Sequence, residues 1–107
     1  MSSKTAAEFD AAYFRQLFGS DETSWAEFVS VSIQSFAEAK TDLSAAATSG
    51  NMESASKIRH AIGPSLTQWG AVTLESSLRA LDADNLAAQW PPLESEFDAL
   101  IAALQAL

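Results

Sequence analysis

The chain has 107 residues, 48% of them hydrophobic, a size that suits one domain with a continuous core spanning positions 1–107. It has no cysteine and a single histidine, which excludes disulfides and thiolate chemistry and leaves a zinc site only scattered carboxylates. A net charge of −8 repels phosphate backbones and anionic lipid surfaces, so neither nucleic acid nor membrane is an expected partner. Four glycines and three prolines punctuate a sequence rich in alanine, leucine and glutamate, and no segment alternates as a strand would. The first predicted element is a short apolar helix carrying Phe9, Tyr13, Phe14, Leu17 and Phe18, ended by Gly19. A long helix follows from the low twenties to Thr48, opened by a Ser24/Glu27 capping box and striped by Trp25, Phe28, Val29, Ile33, Phe36 and Leu43. Ser49-Gly50-Asn51 is a connection tight enough to turn the next helix antiparallel.

In that next helix Met52, Ala55, Ile58, Ile62, Leu66 and Trp69 gather into one stripe, and Gly70 closes or bends it. Leu74, Leu78 and Leu81 mark a third main helix ending near Asp82-Ala83-Asp84. A fourth begins around Asp84-Asn85, with a kink or fresh start expected at Trp90-Pro91-Pro92, and continues through Leu93, Phe97, Leu100, Ile101, Leu104 and Leu107. The pattern predicts an all-α fold: an up-and-down antiparallel four-helix bundle with a short additional N-terminal helix. The three tryptophans fall within apolar stripes and read as core, the alternative being a ligand pocket. Met1 to Glu8 has no long apolar run after its lysine, and no apolar stretch approaches the roughly 20 residues of a membrane span, so the chain reads as cytoplasmic.

His60 is set apart by where it falls on its helix. At about 100° per residue it points almost opposite Trp69, onto the wet face, with Ser56, Lys57, Gly63, Pro64 and Thr67 within a turn or two. An imidazole with an ordinary pKa of about 6.5 is substantially neutral and nucleophilic at cellular pH. Small neighbours would let a second protein approach it closely. No glycine-rich phosphate loop is visible, nor any spacing that suggests a Ser/His/carboxylate triad.

These residues resemble the histidine-containing phosphotransfer (HPt) family of two-component phosphorelays. The family motif has a histidine, commonly lysine and glycine at the third and fourth positions after it, then a hydrophobic residue and glycine at the ninth and tenth. His60, Trp69 and Gly70 match in type and spacing, and Ser49-Gly50-Asn51-Met52, Gly19-Ser20-Asp21-Glu22 and Leu93-Glu94-Ser95-Glu96-Phe97 resemble other family segments. The resemblance implies that His60 is a phosphoacceptor. It would take a phosphoryl group from a receiver-domain aspartate and pass it to another receiver, in a response regulator or hybrid sensor kinase. It also implies a monomeric carrier, not an enzyme, without a cofactor of its own, magnesium being held by the receiver.

Two positions depart from the motif: Gly63 stands where the lysine is usual and Pro64 where the glycine is usual. The family's lysine supports the phosphoryl group, so its loss implies a less stabilised phosphohistidine or slower transfer. Lys57, about 60° round the helix, and Arg59, about 100° away, are the candidate replacements, Lys57 the better placed. Pro64 deletes a helical bond to the His60 carbonyl, at roughly 3 kcal/mol. Receiver docking is expected on Ser56, Lys57, Gly63, Pro64, Thr67 and Gln68. The rival reading is a non-phosphorylated HPt-like adaptor that binds a receiver domain or another helical partner, which Gly63 favours.

Overall fold

A computed structural model describes residues 8–107. The residues before Glu8, which the sequence reading places in a non-secretory N-terminus, lie outside the described part. All regular structure among the described residues is helical: α1 (Ala12–Phe18), α2 (Glu22–Ser49), α3 (Met52–Gln68), α4 (Val72–Arg79) and α5 (Leu86–Gln105). Helix α2 packs on both α3 and α5, α3 packs on α4, α4 on α5, and α1 lies against α2. None of these helices is long and apolar enough to cross a membrane.

The ring of contacts encloses one buried cluster drawn from all five helices, with Phe36, Leu43, Leu66 and Phe97 fully excluded from solvent. Each such side chain contributes about 1.5–3 kcal/mol of burial. The indole N–H groups that this burial encloses are satisfied: Trp69 Nε1 donates to Ser32 Oγ at 3.1 Å, and Trp90 Nε1 donates to Ser44 Oγ at 2.9 Å. Ser44 in turn donates to Glu94 at 2.8 Å, which ties α2 to α5. All three tryptophans are buried, Trp25 and Trp69 side by side with ring centroids 6.2 Å apart and Trp90 against Phe97.

Helices α2 and α3 end alike. Gly50 directly follows the last residue of α2 and Gly70 lies two residues past that of α3, and both adopt positive φ, 68° and 81°. The next N–H reaches back five residues, Asn51 to Ala46 and Ala71 to Leu66, each at 2.8 Å. These are Schellman closures, which satisfy carbonyls that a helix end otherwise strands. Asn51 then accepts from Ser54 N at 3.0 Å and so begins α3.

Four expectations from the sequence need correction. The leading helix starts at Ala12, not Phe9, because Asp10 donates its N–H to the Trp69 carbonyl at 2.7 Å while its side chain accepts from Ala12 N at 2.9 Å. That keeps residues 9 to 11 out of the helix as a strap across the end of α3, and Tyr13 and Leu17 are left exposed on α1. Asp21, not Ser24, caps α2, its carboxylate accepting from Ser24 N at 3.0 Å. Helix α4 stops at Arg79, short of the aspartates, although Leu81 beyond it is still buried. Helix α5 runs without a break through Pro91 and Pro92, so the fresh start offered there as an alternative to a kink does not occur. The carbonyls left without donors there belong to the exposed residues Ala87 and Ala88, which water can reach.

Candidate functional site

The face of α3 that carries His60 is defined by what the opposite face buries. Ala55, Ile62 and Leu66 are buried and Met52 and Ile58 half-buried, as the stripe predicts, and His60 is exposed on the other side. The helix remains continuous through Pro64, so the imidazole is held on a regular backbone although the His60 carbonyl lacks its usual donor four residues on.

His60 lies in a shallow groove between α3 and α4. Of the expected docking residues, Ser56, Gly63, Pro64 and Thr67 share the groove with it. Lys57 and Gln68 are exposed but do not line it. Lys57 is the one cation among the described residues with neither an ion pair nor a side-chain hydrogen bond.

Arg59 lines the groove, and one nitrogen of its guanidinium is engaged at the end of α4. Nη1 donates to the carbonyls of Leu78, Arg79 and Leu81 at 3.0, 3.2 and 2.7 Å. Asn85 Nδ2 takes the carbonyl between them, that of Ala80, at 3.1 Å. Together they satisfy the stranded acceptors at the C-terminus of α4, where a cation also meets the negative end of the helix dipole. Arg59, the less well placed of the two candidate phosphoryl-supporting cations, thus also serves as a cap on α4.

Two groove residues were missed by the sequence reading, Glu75 and Arg79 of α4. Arg79 Nε donates to Glu75 Oε2 at 2.8 Å, and Arg79 Nη2 donates to Ser76 Oγ at 3.3 Å. The Glu75 side chain is only 18% exposed, that of Arg79 66%. A Cβ added at the buried Gly63 would stand 3.5 Å from Glu75 Oε2, so the acidic side chain occupies the space facing the position three residues after the histidine. The spacing of 75 and 79 marks them as an i,i+4 pair off the Leu74/Leu78 stripe. Which helix faces the histidine is settled by packing, which no sequence spacing supplies.

A larger groove, about 710 Å³, opens elsewhere, between α1, α2 and the end of α5. Trp25 lines it, whereas Trp69 and Trp90 do not. Among the described residues no group of three or more acidic, histidine or cysteine side chains is placed to hold a metal. No family model, curated protein or solved structure matches the chain.

Proposed function

We propose that the protein is a histidine phosphotransfer domain of a two-component phosphorelay, with His60 as the phosphoacceptor. The observation that carries this reading is the placement of the chain's only histidine: exposed, on a continuous helix whose rear face is locked into the core, in a groove bordered by Ser56, Gly63 and Thr67. A rigid imidazole with open approach is what an in-line attack on a partner's aspartyl phosphate demands. The order of contacts, α2 to α3 to α4 to α5 and back to α2, suits the up-and-down antiparallel four-helix arrangement of such carriers.

In this reading the protein works in the cytoplasm as a monomeric carrier without enzymatic turnover of its own. Its partners are receiver domains of response regulators or hybrid sensor kinases. A neutral ring nitrogen of His60 attacks phosphorus, the N–P bond forms, and the P–O bond to aspartate breaks with its electron pair on the leaving carboxylate. The proton on the other ring nitrogen stays there. Return transfer reverses these changes at a second receiver. Magnesium and most of the charge stabilisation belong to the receiver, and this chain contributes position and access.

One observation favours a second reading, a receiver-binding adaptor that takes no phosphate: the carboxylate of Glu75 faces Gly63, where the family has a cation. The deciding experiment is incubation with a phosphorylated receiver followed by intact-mass analysis at neutral or alkaline pH. An acid-labile gain of one phosphate, absent from His60→Gln, is the expected result. Binding across several receivers with no gain in mass would overturn the carrier and leave the adaptor.

A further inference from the structure

We infer that Arg79, held by Glu75 and Ser76 on α4, is the cation that supports a phosphoryl group on His60. This rests on the phosphocarrier reading and names the charge that reading lacks.

Three observations converge on Arg79. The first is subtraction: Lys57 does not line the groove, and Arg59 has Nη1 spread over three carbonyls at the end of α4. Arg79 lines the same groove as His60 and, unlike Arg59, is held only by side chains of its own helix, Glu75 and Ser76, and not by backbone carbonyls. The second is the fit between Gly63 and Glu75. With no side chain at position 63, the facing carboxylate, mostly buried, would by itself repel an incoming phosphoryl group, but it is neutralised at 2.8 Å by Arg79. The cation that other family members carry on the histidine helix is thus delivered here from the adjacent helix, where the acidic residue competes for it until a phosphoryl group arrives.

The third is the exposure of Arg79, 66% of its side chain, which leaves it free to turn from carboxylate to phosphoryl oxygens. Guanidinium suits that exchange because its planar fork can keep one N–H edge on Glu75 while another meets a phosphoryl oxygen. Exposure also sets the size of the effect. A buried oxyanion donor is worth on the order of a hundredfold or more in rate. A solvent-screened one is worth less, and about tenfold is expected here.

The test uses the full chain and two phosphoryl donors, phosphoramidate and a phosphorylated receiver, with phosphate on His60 followed by intact mass. Arg79→Gln should slow phosphorylation by the receiver about tenfold, and the deficit should shrink in molar salt. Arg79→Lys should recover most of the rate. So should Gly63→Lys combined with Arg79→Gln, which restores a cation at the position facing Glu75. Glu75→Gln, by releasing Arg79, should leave the rate equal to or above that of the parent. Thermal melts of all variants accompany the rates.

Equal rates for Arg79→Gln and the parent overturn the inference while leaving His60 a phosphoacceptor. A slow Arg79→Gln that neither lysine variant rescues assigns Arg79 a structural role and overturns it equally. If the parent gains no phosphate on His60 from either donor, the phosphocarrier reading fails and this inference with it. Should Arg79→Gln not fold, the comparison of Glu75→Gln with the parent decides: a clear loss of rate in a folded Glu75→Gln is the refuting result.

Discussion

Gly70 sits ten residues after His60, at the position of the family motif's second glycine, and the structure gives it work unconnected with phosphoryl chemistry. It ends α3 at φ 81°, and a Cβ there would stand 2.8 Å from Asp10 N, 3.1 Å from Asp10 Cβ and 3.3 Å from the Phe9 carbonyl carbon. Gly50 ends α2 in the same way, at φ 68°, but a Cβ there meets nothing within 4 Å. The two glycines therefore separate backbone strain from steric conflict. Alanine in the left-handed region costs about 1–2 kcal/mol. Restriction of the unfolded chain returns about 0.4–1 kcal/mol. Gly50→Ala should accordingly destabilise by about 1 kcal/mol.

Gly70→Ala carries the same strain and must also push the strap of residues 9 to 11 off the end of α3. The obstructing atoms are backbone, so no rotamer change relieves them. Displacement breaks the bond from Asp10 N to the Trp69 carbonyl, at 2.7 Å, worth about 1 kcal/mol. It also loosens the half-buried Phe9 ring, for about another 1 kcal/mol. The expected loss is about 3 kcal/mol, or a fall in Tm of about 12–24 °C against about 4–8 °C for Gly50→Ala. Urea titration followed by tryptophan fluorescence measures both, with Phe9→Ala added to each variant as a double-mutant cycle. Equal losses for the two glycines, or full additivity of Phe9→Ala with Gly70→Ala, would refute the strap argument. Below its melting temperature, Gly70→Ala should accept phosphate from phosphoramidate as the parent does.

Three further outcomes follow from the same geometry. Arg59→Leu removes a charged donor from three carbonyls at the end of α4 and should cost about 2 kcal/mol in urea titrations while His60 still accepts phosphate; full stability with lost phosphorylation would reverse the assignment of Arg59 as a cap. Asn51→Ala deletes the side-chain acceptor for Ser54 N and should cost about 1 kcal/mol, whereas Asn51→Asp should retain most of it. The bond from the Ser24 N–H holds the Asp21 carboxyl below its ordinary value near 3.8. Since the folded value is the lower one, the stabilisation is complete above the unfolded value and disappears as pH falls through the folded value. Stability measured from pH 5 downward should therefore fall less steeply in Asp21→Asn, which caps without titrating.

Much of this architecture is legible in the residues because helices and their ends are local. The Met52/Ala55/Ile62/Leu66 stripe, the glycine closures at 50 and 70 and the outward direction of His60 all follow from periodicity and φ preference within one segment. What spacing does not reach is contact between segments. Asp10 is drawn out of a helical pattern by a carbonyl 59 positions later, and Arg59 is drawn to carbonyls 19 to 22 positions later. The capping of α2 shows a subtler failure: Asp21 and Ser24 both have capping side chains, and the helix begins at the earlier of the two because a longer helix buries Trp25 with its first turn already formed. Glu75 and Arg79 enter the site only because α4 packs beside α3, a fact that belongs to the fold as a whole.

The charge of the chain sharpens the case for its partner. At −8 overall, the surface as a whole would repel the acidic, metal-binding rim that surrounds a phosphorylated aspartate. Yet Lys57, Arg59 and Arg79, three of the five cations among the described residues, belong to α3 and α4, the two helices that carry or face His60. The remaining two are tied to acids away from this groove, Arg15 to Glu22 and Lys40 to Asp98. On the proposed reading an acidic partner meets its least unfavourable field on the α3 and α4 side, where three cations stand against Glu53 and Glu75. Such a distribution selects orientation and on-rate more than affinity, which would suit the proposed role of a carrier that meets two receivers in turn and releases each.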